Sequence, residues 1–118
     1  MCRTTLYTII QMRLPEIVSP QTRDLAADVM LGRDIAPAVE AGLYARTGAI
    51  GAEGLEDLFE MGQSAINPDC PLPRSLSVGD IAVAEATAWL CAPEGWTEIS
   101  GELGRSLLTI SSERREAA

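Results

Sequence analysis

Between residues 74 and 99 the sequence alternates turn and strand so closely that few folds can hold it. Gly79-Asp80 reads as a turn, because glycine accepts positive φ without steric cost and an aspartate side chain bonds its own backbone. Behind it Ile81 and Val83 fall on one face and Ala82 and Ala84 on the other, the period-two pattern of a short strand. A second apolar run, Ala88-Trp89-Leu90-Cys91-Ala92, is broken by Pro93-Glu94-Gly95, and Trp96 to Ile99 resumes the extended pattern. Short apolar runs joined by tight turns predict a small antiparallel meander. The remainder of the chain must cover it.

The N-terminal part supplies candidates. Residues 5 to 14 alternate, with Leu6, Thr8, Ile10, Met12 and Leu14 on one face and Tyr7, Ile9, Gln11 and Arg13 on the other, which predicts a strand. Ser19-Pro20 starts a helix, with serine as cap and proline at the first position, where no backbone donor is missed. Leu25, Ala26, Val29 and Met30 recur at helical spacing up to Gly32, a stop signal. Met30 and Leu31 are expected in the core rather than on a partner-binding surface. Asp34-Ile35-Ala36-Pro37 either caps a second short helix or belongs to an irregular connector. Leu43 to Thr47 reads as another strand, closed by a turn at Thr47-Gly48.

Helical spacing returns at Leu55, Leu58 and Phe59, flanked by Glu53, Glu56, Asp57 and Glu60, acids suited to the positive end of a helix. They are expected on the face opposite Leu55 and Phe59. Residues 62 to 73 form a proline-punctuated loop, and Leu103, Leu107, Leu108 and Ile110 suggest a closing helix after Gly101. Residues 111–118 read as a frayed tail. The expectation is one α+β domain over residues 1–118, with a mostly antiparallel sheet of four or five strands and two or three helices packed on it.

Composition narrows the chemistry. With 47% apolar residues in 118, the chain can bury roughly two-thirds of its extended surface and is not a disordered polymer. No apolar run approaches the ~20 residues of a membrane span, so a cytoplasmic location is expected. Histidine is absent, which removes the commonest general base and the commonest metal ligand together. Cys2, Cys70 and Cys91 lack metal-like spacing and read as reduced thiols. No cofactor or metal is expected. A net charge of -8 opposes phosphate contact and disfavours non-specific DNA binding.

The order of these segments resembles a known family. The acidic-apolar helix Leu55-Glu56-Asp57-Leu58-Phe59, a loop with Asn67-Pro68, then Arg74-Ser75-Leu76-Ser77-Val78-Gly79-Asp80-Ile81 and Gly95-Trp96-Thr97-Glu98-Ile99 are similar to the YodL-like domain of plasmids, phages and integrated elements. Gly42-Leu43-Tyr44-Ala45 stands where that family has a tyrosine-bearing strand. The resemblance covers roughly residues 40–99. The family often carries a histidine in the loop before the serine motif, and this chain has none. What the resemblance implies is a mobile-element accessory protein without a settled biochemical activity.

Ser75 and Ser77 have neither a base nor a glycine-rich cradle beside them, so with Gly79 and Asp80 they are read as the fixings of a turn, and Trp89 and Trp96 as core mass. Four functions compete. The leading one is a non-enzymatic inhibitor of a host defence complex, of anti-CRISPR or anti-restriction kind. It would present an acidic face (Glu53, Glu56, Asp57 and Glu60, with Asp24 and Asp28) to a basic nucleic-acid-binding surface, with no direct nucleic-acid or membrane contact. The others are a barrel-like nucleic-acid-binding module using Trp89 or Trp96 with Arg46 or Arg74, an enzyme, and a scaffold of plasmid maintenance that would form a homodimer.

Overall fold

The computed structural model describes residues 4–13 and 19–112. Five strands form one antiparallel sheet: β1 (Thr5–Met12), β2 (Tyr44–Ala52), β3 (Ile81–Ala84), β4 (Thr87–Ala92) and β5 (Gly95–Ile99), in the order β2-β1-β3-β4-β5. Four helices accompany them among the described residues, α1 (Pro20–Met30), α2 (Ala36–Glu40), α3 (Leu55–Met61) and α4 (Gly101–Ser112). The α+β class and the antiparallel sheet are as expected, with one helix more. None of these helices is long and apolar enough to cross a membrane.

The register explains why both faces of β1 are apolar. Ile10 opposes Ile81, which opposes Leu90, while Ile9 opposes Ala82, which opposes Trp89. Paired residues share a face, so these rows lie on opposite sides of the sheet. On the first side Ile10, Tyr44, Ile81, Val83 and Ala88 pack with Val29, Ala38 and Leu107 beneath α1, α2 and α4. On the second, Tyr7, Ile9, Ile50, Ala52 and Ala82 pack with Leu58 of α3 and Leu76 of the long loop. A strand in the middle of a sheet covered twice must be apolar on both edges of its pleat. Only the Leu6 end escapes, at 67% exposed.

The local starts and stops follow from the residues. Ser19 caps α1, its Oγ accepting from the Thr22 N–H at 3.2 Å, with Pro20 in the first turn. The helix ends with Gly32 at φ +77°, a left-handed position that costs glycine little. The short helix α2 does form, and Asp34 Oδ1 accepts from the Ala36 N–H at 3.0 Å.

Four expectations are corrected. Thr47-Gly48 is not a turn: β2 runs straight through it, and the pairing jumps from Ile9↔Gly48 to Ile10↔Arg46. Thr47 is therefore the extra residue of a β-bulge, which shares glycine-tolerant backbone with a turn but lets the strand continue. Phe59 is 39% exposed and Leu58 fully buried, so the buried stripe of α3 runs Leu55-Leu58-Met61 and Phe59 sits among the acids. Met30 and Leu31, expected in the core, are each 64% exposed, because α1 turns only Val29 and the side of Leu25 inward at its end. Helix α4 extends through Ser112, which takes in the first two residues of the expected tail; residues 113–118 lie outside the described residues, as do Cys2 and Leu14.

Candidate functional site

The acids fall into two groups. Asp24 and Asp28 stand on α1, on the first side of the sheet, and α3 with Glu53, Glu56, Asp57 and Glu60 covers the second. The six do not make one face. Asp28 is also committed to Arg33 by a 2.9 Å ion pair. Asp57 reaches back to accept from the Glu53 N–H at 3.0 Å, so it serves the start of α3. What remains is an exposed stripe of Glu56, Phe59 and Glu60 on α3, with Glu53 exposed just ahead of the helix. Helical spacing makes Phe59 a surface neighbour of Glu56, and Glu60 follows Glu56 by one turn.

The serine motif builds a different object. Gly79 has φ +96°, at the third position of a turn in which the Asp80 N–H donates to the Ser77 carbonyl at 3.1 Å. A Cβ there would also collide with Val29 Cγ1, so α1 approaches this turn as closely as only glycine allows. Asp80 is 1% exposed and accepts from Arg74 Nη2 at 2.8 Å, Arg74 Nη1 at 3.0 Å, Ser77 N at 2.9 Å and Gln11 Nε2 at 3.1 Å. Gln11 is itself buried, and Thr47 Oγ1 donates to its Oε1 at 2.8 Å. The chain Arg74–Asp80–Gln11–Thr47 thus ties the long loop to β1 and to the bulge of β2. Satisfied in this way, a buried carboxylate is stable, and no described buried side-chain polar atom is left without a partner.

The hydroxyls behave as turn fixings. Ser75 Oγ accepts from the Ser64 N–H at 3.0 Å, and Ser77 Oγ accepts from Arg74 Nη1 at 3.1 Å. Tyr44 donates its hydroxyl to the Gly79 carbonyl at 2.6 Å. Burial, and then the Asp80 charge, push that phenol well above its ordinary value. The same two causes in the same order push the Cys91 thiol up to about 11. Both groups are held protonated, which is the opposite of what a nucleophile or a general base near neutral pH requires. Among the described residues no group of three or more Cys, Asp and Glu side chains is placed to hold a metal ion.

Trp89 and Trp96 are half-buried against the second core, Trp89 edge-on to Tyr7 with ring centroids 6.2 Å apart. They stand on β4 and β5, whereas Arg46 stands on β2 at the opposite edge of the sheet, and the guanidinium of Arg74 is spent on Asp80. The tryptophans and arginines suggested for a nucleic-acid strand therefore do not converge. Beside the serine motif lies a cleft of about 450 Å³ lined by Met12, Val29, Met30 and Val78 together with the motif residues Arg74, Ser75, Ser77 and Asp80. Sequence reasoning found the turn but not Gln11, Thr47 or Arg74 as partners of Asp80. The one available signal was a carboxylate placed directly against the buried run Ile81–Ala84. A scan against protein-family models and searches of curated proteins and of solved structures find no match to this chain.

Proposed function

We infer that this chain is a non-enzymatic binding factor whose α3 face occludes a basic surface on a nucleic-acid-directed protein. The observation that carries the reading is the outer face of α3, where Glu56, Phe59 and Glu60 are exposed and Glu53 stands exposed just ahead of the helix. Such carboxylates attract arginine and lysine side chains at long range and speed encounter, and a net charge of -8 strengthens that field. An aromatic side chain among them supplies the desolvated contact that slows dissociation. The deactivated states of Tyr44 and Cys91 and the saturated Asp80 speak for binding rather than chemistry.

The partner class follows from complementarity. A groove that holds DNA or RNA presents the positive charge this stripe fits, and the resemblance to a mobile-element domain makes a CRISPR or restriction complex of the host the proposed target. Gel filtration of the purified chain mixed with such complexes tests this, with a DNA-binding assay on the co-eluting material. Co-elution accompanied by loss of DNA binding is expected. Failure to associate with any nucleic-acid-binding complex of the host would remove the reading.

A further inference from the structure

Despite its net charge of -8, the chain places two arginines at one notch. Arg13, Arg46 and Thr47 line an open notch of about 280 Å³ together with Pro71, Leu72 and Pro73. The bulge is what makes it. In a regular strand Arg46 and Thr47 would point to opposite faces, but the extra residue between Ile9↔Gly48 and Ile10↔Arg46 lets both reach the same notch. Arg13 arrives from the end of β1, where its N–H donates to the Leu43 carbonyl at 2.6 Å. The wall is seated closely, since a Cβ on Gly48 would lie 3.1 Å from Leu72 Cδ2.

Charge then decides what the notch takes. The ion pairs among the described residues are Arg33–Asp28 and Arg74–Asp80, and neither involves Arg13 or Arg46. Arg46 Nη1 makes one long contact, 3.4 Å to the Ser111 carbonyl outside the notch, so this exposed side chain must turn to meet an anion there. Thr47 already donates its hydroxyl proton to Gln11, and the two prolines have no N–H, so the charged side chains bordering the notch are those of Arg13 and Arg46. Two positively charged side chains border one small notch, and an anion seated there would offset their mutual repulsion. Their planar forks match tetrahedral oxyanions in particular. The volume is below the ~300–1,000 Å³ of pockets for larger ligands, which fits a phosphoryl group rather than a whole cofactor.

The geometry points to a phosphate-binding site at the β2 edge, made by Arg13 and Arg46, for inorganic phosphate or the terminal phosphate of a small monoester. It lies at the opposite end of β2 from the acidic stripe of α3 and does not depend on the function proposed above.

Amide NMR shifts of Thr47, Gly48 and Leu72 during titration with inorganic phosphate, at ionic strength held constant with chloride, test the site. A second titration uses glycerol phosphate, and a third a short single-stranded oligonucleotide lacking terminal phosphates. Saturable shifts confined to the notch are expected with inorganic phosphate or glycerol phosphate, whichever binds more tightly naming the source. Arg13→Gln and Arg46→Gln should each weaken that binding by about tenfold, the loss of one charge-assisted contact. Both residues are exposed, and unchanged amide dispersion elsewhere verifies that each variant is folded. Shifts that rise linearly without saturating, saturable shifts that survive both substitutions, or binding of the oligonucleotide alone would overturn the proposal.

Discussion

Replacing Asp80 by alanine is the sharpest test of how the long loop is held. The substitution removes four hydrogen bonds at once, two from Arg74 and one each from Gln11 and Ser77. The Arg74 side chain is 42% exposed and rehydrates when released, so its share is small, below about 1 kcal/mol. Gln11, 1% exposed, and the Ser77 N–H cannot do so as readily, and each lost partner costs about 1 kcal/mol. The sum is about 2–3 kcal/mol, a large part of the roughly 5–15 kcal/mol that holds a domain of this size together. Asp80→Asn keeps one acceptor for Ser77 and should lose less. Urea unfolding followed by the fluorescence of Trp89 and Trp96 reads both variants. A loss below about 1 kcal/mol for Asp80→Ala would refute the role assigned to the carboxylate, and would mean that Leu76 in its apolar socket holds the loop unaided.

Three further outcomes are expected. The β3–β4 hairpin turns on Glu85 and Ala86, both with positive φ, at 51° and 63°. Glu85→Asn with Ala86→Gly relieves a conformation that L side chains resist and should raise stability by about 1 kcal/mol, read as a higher Tm. Cys91 and Tyr44 have folded-state pKa values raised above their ordinary values of 9.0 and 10.0, so the unfolded chain ionises first. Their contribution to stability is complete below about pH 9 and is lost as pH rises through the folded value of about 11 for Cys91; denaturant midpoints across pH 7–11 should be flat and then fall. Asp57→Ala should cost about 1 kcal/mol through the lost contact to Glu53 N–H, whereas Glu56→Gln and Glu60→Gln should stay within about 0.5 kcal/mol by thermal melts.

The sheet was legible because its strands obey period two and its first helix carries an explicit cap. The meander from Ile81 to Ile99 needed only apolar alternation and Pro93-Glu94-Gly95. The turn at Glu85-Ala86 was hidden, since neither residue is one that positive φ normally selects. Thr47-Gly48 misled for a related reason: a glycine after a short apolar run serves a bulge as well as a turn, and only the partner strand distinguishes them. In α3 the adjacent pair Leu58-Phe59 leaves one residue of ambiguity in the buried stripe, and packing against Leu76 resolved it toward Leu58. The Asp80 site was the least legible. Arg74 is near in sequence, but Gln11 is separated from Asp80 by sixty-nine positions and Thr47 enters only through the bulge, so no local pattern joins them.

In the proposed inhibition the α3 stripe would act through charge and Phe59 through contact, and association kinetics separate the two. With the target complex immobilised, the wild-type chain should bind with a rate constant that falls about tenfold or more between low and physiological salt. The combined Glu53→Gln, Glu56→Gln and Glu60→Gln variant should start slow and lose most of that salt dependence. Phe59→Ala should associate normally and dissociate faster. Association rates that neither salt nor the triple substitution changes would contradict a charge-driven role for α3.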